Sequence, residues 1–335
     1  MQIQALAADN QGVTLKPYTF ELKQPKVNEC LIKVFACGIC HSDIHMLDND
    51  WGWSHYPLVP GHEVVGEVVE IGSQVKHLRI GDRVGVGWQR SACLQCQDCL
   101  KGHENLCDQS EALIVNGYGG FADHLLVDAR FVFRIPSGIE TQAACPLLCA
   151  GITVYSALRH ASMRSGQEIG IVGIGGLGHL AIQFASRLGN RVTVFTTSDD
   201  KAELATKLGA HDVILVSPEA KPPAPVGKLD ILLTTTSQSL DWAAYLNHLN
   251  SDGFLSIVGV PSAPISIPVL PLLIKRRRVM ASIIGSRSEM IEMLSIAERY
   301  EIKPIVEIFT MQQINEAIEK VRQNKIRFRA VLNLM

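Results

Sequence analysis

The 24 residues from Cys40 to Glu63 include, among their polar groups, the thiol of Cys40, the small hydroxyl of Ser42, the carboxylates of Asp43 and Glu63 and the imidazoles of His45 and His62. One thiolate and one imidazole are half of a zinc site. A catalytic zinc takes three protein ligands and keeps a fourth position for water or substrate. The missing soft ligand has to come from elsewhere, and Cys149, in Leu147-Leu148-Cys149-Ala150-Gly151, is the best candidate. The competing interpretation is a buried thiol beside a turn-capping histidine, because free cysteine is commonly a small core residue.

A second cluster follows at Cys93-x₂-Cys96-x₂-Cys99-x₇-Cys107. Four thiolates at these spacings can close around one tetrahedral zinc and leave no open position, which makes the site structural. So few residues lie between them that the metal must hold the lobe together. A redox Cys-x-x-Cys would sit in a strand-to-helix context, absent here. A nucleic-acid-binding zinc ribbon would carry a basic face, and only Arg90 and Lys101 flank this one. The remaining cysteines, Cys30, Cys37 and Cys145, have apolar neighbours and are expected in the core.

These groups must be positioned by a chain of 335 residues, enough for two domains. Apolar residues at 47% and charged residues at 19% describe a soluble globular protein. A net charge of −2 gives no reason to expect nucleic acid or an anionic membrane as partner. No apolar run approaches a membrane span, and the N-terminus lacks the basic start and apolar core of a secretion signal, so a cytoplasmic address is expected.

The N-terminal part reads as glycine-punctuated strands (Cys30–Phe35, Glu63–Ile71, Arg83–Trp88, Leu125–Val127, Phe131–Phe133), consistent with a small irregular barrel. Residues 143–155 read as a buried helical link that carries Cys149 back to the first metal centre at a domain junction. At Gln167 the pattern changes. A buried strand, Glu168–Val172, runs into Gly173-Ile174-Gly175-Gly176-Leu177-Gly178, a helix with apolar Leu180, Ala181, Phe184, Ala185 and Leu188, and a strand, Val192–Phe195. Between a strand and a helix, G-x-G-x-x-G is strong evidence for a dinucleotide site. Its glycines allow a tight turn and close approach to pyrophosphate, whose charge the helix N-terminus stabilises. Later strands (Val213–Val216, Ile231–Thr234, Phe254–Val258) extend a parallel sheet, with Pro222-Pro223-Ala224-Pro225 as a stiff connection.

The end of the second strand bears on which cofactor binds. A NAD site usually places Asp or Glu there for the ribose 2′-hydroxyl. This chain has Thr196-Thr197-Ser198-Asp199-Asp200-Lys201. Small hydroxyls leave room for a 2′-phosphate and Lys201 adds positive charge, which suits NADP provided Asp199 and Asp200 face solvent; NAD is the alternative. The basic run Lys275-Arg276-Arg277-Arg278 reads as a solvated face or as a partner for acids across a subunit boundary. Ala281–Gly285 is expected to close the cofactor domain with a strand able to pair with a second subunit's. Ile314–Val321 reads as an amphipathic helix, and a strand-like end, Phe328–Leu332, is expected to rejoin the first domain.

Taken together, Cys-Gly-Ile-Cys-His-Ser-Asp at 37–43, Pro-Gly-His-Glu at 60–63, the four-cysteine lobe, Leu-Leu-Cys-Ala-Gly at 147–151, the glycine motif at 173–178 and Ile-Ile-Gly-Ser at 283–286 resemble the zinc-containing medium-chain alcohol dehydrogenases. Within that family they resemble most the cinnamyl-alcohol-dehydrogenase-like branch of NADP-dependent aldehyde reductases. The resemblance implies an α/β chain: a GroES-like β-rich catalytic domain from residues 1–149 and 286–335, with a structural zinc lobe at 93–107, and a Rossmann domain of doubly wound parallel sheet from 150–285, usually as a homodimer. It implies that Cys40, His62 and Cys149 are the catalytic zinc ligands, that Glu63 can approach the metal, and that Asp43 orients the ligand histidine. It also implies a proton relay through Ser42 and His45, and cofactor contacts at His41, Ser42, Thr153, Thr235, Gly259, Ser282 and Ile284.

The activity this implies is RCHO + NADPH + H⁺ ⇌ RCH₂OH + NADP⁺ on a primary alcohol or aldehyde, aromatic or medium aliphatic. Trp51, Leu58, Trp88, Leu113 and Ile284 are the candidates for an apolar substrate pocket. Two other readings stand: a NAD-dependent small-alcohol or polyol dehydrogenase, and a non-catalytic zinc- and cofactor-binding redox sensor.

Overall fold

Alternating buried and exposed positions in the N-terminal third build sheets, and the all-apolar runs beyond Gln167 build a different kind of sheet. The structure is a computed structural model that describes residues 1–216, 228–261 and 264–335; the Pro222–Pro225 connection lies outside them. The chain forms two compact units: Met1–Cys149 with Ser286–Glu298 and Lys303–Met335, and Ala150–Gly285 with Arg299–Ile302.

In the first unit a mixed sheet runs in the order Val306–Thr310, Arg329–Asn333, Glu29–Ile39, Glu63–Ile71, Arg83–Val86, Phe133–Arg134, and His124–Asp128 also pairs with Glu29–Ile39. Only the first pair is parallel. The C-terminal strand therefore returns to the N-terminal sheet, as the apolar run 328–332 suggested. Val64, Val68, Val84, Val86, Phe121 and Leu332 meet in the core beneath it. Cys30, Cys37 and Cys145 are all fully buried, and burial pushes the Cys30 thiol up to about 12. These three are inert core residues.

The strand expected at 30–35 is longer, Glu29–Ile39, because its apolar run continues to Ile39. That extension matters, since it ends one residue before Cys40. The expected helix at 143–155 is instead three pieces: Thr141–Pro146, a wider π-type turn at Leu147–Gly151, and Ile152–His160. Pro146 has no N–H to give to the turn before it, so the regular ladder is interrupted there. Such π-turns concentrate at functional positions, and this one carries Cys149. Contrary to the hydropathy reading, Thr141–His160 is long and apolar enough to cross a membrane, but 83% of its most apolar window is buried inside the protein itself.

The second unit holds six parallel strands in the order Asp212–Leu215, Arg191–Thr196, Glu168–Val172, Leu229–Thr234, Leu249–Ile257, Arg278–Ala281. Its order reverses at Glu168–Val172, the switch point where open α/β sheets bind dinucleotides. Two expectations change here. The edge strand is Arg278–Ala281, and residues 282–285 leave the sheet, with Ile284 at φ +31°. The basic run is a solvated face, with Lys275, Arg276 and Arg278 exposed, and its contacts lie within its own unit: Arg276 pairs with Asp252 at 2.7 Å, Arg277 donates to the Leu249 carbonyl at 2.6 Å and Arg278 lies over the Phe254 ring.

Candidate active site

Cys40 ends the Glu29–Ile39 strand and precedes the His41–Leu47 helix, whose third residue is Asp43. The buried Asp43 carboxylate takes three donors: Cys40 N at 2.8 Å, Gly61 N at 2.9 Å and His62 Nδ1 at 3.0 Å. One carboxylate thus holds the thiol-bearing turn and the imidazole together. With Nδ1 occupied, His62 presents Nε2, a fully buried atom with no partner among the described residues. The π-turn brings Cys149 Sγ to 4.0 Å from Cys40 Sγ. Two sulfurs on one tetrahedral zinc stand about 3.8 Å apart, given bonds near 2.3 Å. Ligand atoms of Cys40, His62, Glu63 and Cys149 lie within 4.8 Å of one another. The orphaned Nε2 and the sulfur spacing fit a zinc ion.

Charge supports the same fit. The hydrogen bond with Cys149 holds Cys40 well below the ordinary thiol range; burial opposes this and the Arg329 guanidinium adds to it. Cys149, sharing that proton and buried beside a thiolate, is pushed well above it. A dication is what allows both sulfurs to ionise at once. Burial alone would lower His62, but Asp43 and then Cys40 outweigh it and raise it well above its usual value. Burial lifts Glu63 to about 7 even though the Arg329 charge opposes this.

Arg329 is the residue that sequence reasoning missed. It sits in the C-terminal strand, is 6% exposed, ion-pairs with Glu63 and reaches to 4.0 Å from Cys40 Sγ. Its signal was present: a lone guanidinium next to the apolar strand run 330–332 needs a buried anion. Asp50 was missed too. Its carboxylate accepts from His45 Nδ1 at 2.7 Å, and the His45 ring lies 5.0 Å from that of Trp51. Ser42 Oγ stands 3.7 Å from Cys40 Sγ, and His41 is exposed.

Of the pocket candidates, Trp88 meets the His62 ring edge-on at 5.1 Å and Trp51 at 6.1 Å, and both tryptophans are half-buried. Leu58 and Leu113, by contrast, are 2% and 0% exposed members of the unit's core. Both side chains are packed among other apolar residues and face no open space. Trp53, not singled out from sequence, is 55% exposed and 5.6 Å from Trp51.

The four-cysteine lobe is assembled, with Cys93 Sγ 3.5 Å from Cys107 Sγ and 3.9 Å from Cys99 Sγ. Backbone N–H groups of Gln95 and Cys96 draw Cys93 down to about 6, whereas burial and neighbouring sulfurs push Cys99 up to about 12. Four sulfurs this close repel one another as thiolates unless a cation lies between them, so the lobe also fits zinc.

In the second unit the Glu168–Val172 strand turns at Gly173, φ +91°, into the Gly178–Arg187 helix. A Cβ at Gly178 would overlap the Gly173 carbonyl, while one at Gly175 would meet nothing within 4 Å, so the turn, with Ile174, Gly176 and Leu177 in it, leaves open room beside its backbone. Thr235 Oγ1 donates to the carbonyls of Val172 and Gly173, bracing the turn. Gly259 lies against the Thr236 backbone, Ser282 N donates to Ile257 O and Thr153 is buried in its helix. At the strand end Thr196 is 4% exposed, so its side chain is part of the core and not a free phosphate donor. Thr197, Asp199, Asp200 and Lys201 are exposed, and Ser198 caps the Asp199–Leu208 helix. The two acids occupy that helix's first turn, where a carboxylate complements the dipole.

A sulfur-imidazole group that fits zinc in one unit and a dinucleotide-type sheet in the other are the two parts of a metal-dependent dehydrogenase. Residues 26–137 match the alcohol dehydrogenase GroES-like domain and residues 176–299 the zinc-binding dehydrogenase domain. The chain is 42% identical to the aldehyde reductase AdhA of Synechocystis sp. over 99% of its length and 98% of the relative's. It is 40% identical to cinnamyl alcohol dehydrogenase 8 of Arabidopsis thaliana, covering 98% and 94%. A solved cinnamyl alcohol dehydrogenase of Sorghum bicolor superposes with a TM-score of 0.92 at 36% identity over 99% and 98% of the two chains. One from Helicobacter pylori, complexed with NADP(H), gives 0.90 at 30% over 100% and 98%. The chain belongs to the zinc-containing alcohol dehydrogenase family, in its cinnamyl-alcohol-dehydrogenase-like branch. It is an oxidoreductase that interconverts alcohols and aldehydes, which removes the non-catalytic sensor.

Proposed function

We propose that the protein reduces aldehydes to primary alcohols with NADPH, using Cys40, His62 and Cys149 as ligands of a catalytic zinc and the 93–107 lobe as a structural zinc site. The observation that carries the reading is the convergence of two sulfurs and the unpartnered His62 Nε2 from three distant parts of the chain. When bound, the zinc polarises a carbonyl oxygen and the nicotinamide supplies hydride. Asp43 fixes the His62 tautomer, so that Nε2 is the atom offered. Ser42 and His45 carry the proton; Asp50 accepts from His45 Nδ1 and leaves the other ring nitrogen to exchange it. Trp51 and Trp88 form the apolar wall that excludes water near His62, with Ile284 as a further candidate contact. Glu63, held by Arg329, is the carboxylate poised to approach the metal position.

The exposed Thr197, Lys201 and solvent-facing acids favour NADP(H) over NAD(H), in keeping with the NADP(H) complex of the Helicobacter pylori relative. His41, Ser42, Thr153, the 173–178 turn, Ser198, Thr235, Gly259 and Ser282 complete the proposed cofactor contacts. Nine unpaired cysteines suit a reducing compartment, the cytoplasm.

We propose a homodimer, and exposed apolar residues of the second unit support it. The Val269–Lys275 helix has no buried residue, and Leu270, Leu273 and Ile274 are 64%, 69% and 67% exposed near the edge strand. Val269, Val279 and Ile283 are exposed as well, and exposed apolar residues of this kind are what a subunit interface covers. Leu273→Glu should shift sedimentation from dimer to monomer.

Initial rates with NADPH and NADH against aromatic aldehydes, aliphatic aldehydes and sugar alcohols test the reading. A strong NADH preference overturns the cofactor assignment. Full turnover by a Cys40→Ser variant overturns the catalytic one.

A further inference from the structure

Glu104 lies in the cysteine lobe, between Cys99 and Cys107, yet its carboxylate is 4% exposed. It accepts from Arg287 Nη2 at 2.8 Å, Nε at 3.0 Å and the backbone N at 3.4 Å. Arg287 opens the Arg287–Arg299 helix, lies over the Phe131 ring at 5.5 Å and gives Nη1 to the Arg130 carbonyl. Nε and Nη2 converge on Oε1 while the Arg287 backbone N–H reaches Oε2, so both carboxylate oxygens are held and the buried Glu104 side chain has little freedom to move. The Glu104 backbone is then used: its carbonyl accepts from Gln89 Nε2 at 2.7 Å, and Gln89 is itself buried. Gln89 is the residue after Trp88, whose carbonyl accepts from Leu113 N at 2.7 Å and whose indole stands edge-on to His62.

The structure assigns Glu104 and Arg287 a positioning role: acting through Gln89, they fix where the Trp88 indole stands against His62, so the cysteine lobe sets one wall of the substrate site. Neither residue touches the reacting atoms. The mere-anchor alternative, in which the pair only holds the lobe onto the unit, predicts lost stability with no selective effect on substrate. The inference rests on Trp88 being part of the substrate wall.

Because a wall contributes to binding before chemistry, its displacement should raise aldehyde KM and spare kcat. Glu104→Ala in the zinc-loaded enzyme is expected to raise aldehyde KM roughly tenfold, with kcat within about twofold, cofactor KM unchanged and both zinc ions retained. Glu104→Gln keeps an acceptor for Arg287 and should stay near wild type, and Arg287→Lys, which loses the fork, should fall between. Acrylamide quenching of tryptophan emission should rise in Glu104→Ala, a readout independent of turnover, and should not rise further between Trp88→Phe and the Trp88→Phe/Glu104→Ala double variant. In that Trp88→Phe background Glu104→Ala should leave KM unchanged. An equal KM increase in that background, loss of the lobe zinc, or no KM change in either Glu104→Ala or Arg287→Lys overturns the proposal. A Trp88→Phe variant with wild-type KM overturns the substrate-wall reading and the proposal with it; altered KM in Trp88→Phe but not in Glu104→Ala overturns the proposal alone.

Discussion

Gly38 faces Glu63 across the antiparallel pair of Glu29–Ile39 and Glu63–Ile71. A Cβ placed there would overlap Glu63 Oε2 and lie 2.9 Å from its Cδ. Carbon atoms settle at about 3.5–4.0 Å, so the carboxylate must retreat by roughly an ångström. It has little freedom to do so: Glu63 is fully buried and its other oxygen is held by Arg329. Breaking a buried pair by removing a partner costs about 3–5 kcal/mol, and displacing it without removal should cost about half, ~2 kcal/mol. Overpacking adds about 1–2 kcal/mol, and alanine in a strand returns about 0.5–1 kcal/mol over glycine. Gly38→Ala is therefore expected to lose about 2–3 kcal/mol, or roughly 5–10 °C in Tm by circular dichroism of the zinc-loaded enzyme. Adding Glu63→Asp, one methylene shorter, should recover more than half of the loss. A Gly38→Ala protein that melts with wild type, or a double variant no better than the single, refutes the reasoning.

Three further outcomes follow from the same site. Glu63 is raised from 4.5 to about 7 by burial, so in chelated protein the folded state holds a proton that the unfolded state has released, and stability falls as pH rises from 4.5 to 7. Urea unfolding should show that loss, at most about 3 kcal/mol, and Glu63→Gln should flatten it; an unchanged slope in the variant counts against it. Zinc affinity should also fall steeply on acidification, because Cys149 and His62 are both raised and must each release a proton to the metal. Competition with a chromophoric chelator near neutrality should give log K rising by ~2 per pH unit, and a flat plot would exclude the ligand set. Asp50→Asn leaves His45 without its anionic partner, and kcat should drop about tenfold with aldehyde KM unchanged in steady-state assays; an unaltered kcat removes His45–Asp50 from proton transfer.

Spacing made much of the site legible. The lobe cysteines and the glycine turn are local patterns whose chemistry needs only neighbours, and the Glu63–Ile71 strand and the Ile314–Arg322 helix fall where hydrophobic period placed them. Cys149 lies more than a hundred residues from Cys40, so only the need for a third, soft ligand pointed to it, and the family resemblance agrees. Arg329 and Asp50 were invisible for a different reason: each acts through a partner fixed only by tertiary packing, with no local period to mark it. Leu58 and Leu113 misled because sequence shows that a residue is apolar, but not whether its apolar face meets a ligand or another side chain. Thr196 differs for a related reason, since this parallel strand is covered on both faces from Val192 onward and its last hydroxyl is buried with it.

The two metal centres differ in how much chain each must wait for. The lobe closes from Cys93 to Cys107, whereas the other draws on Cys40, His62 and Cys149 and on the Arg329 that braces Glu63. During synthesis at roughly 10 residues per second, on the order of twenty seconds separate the emergence of Cys107 from that of Arg329. A nascent polypeptide can thus close the lobe around its ion well before the strand that braces Glu63 beside the other centre has been made. The lobe is a local unit of the chain, whereas the other centre is complete only once distant segments have packed together.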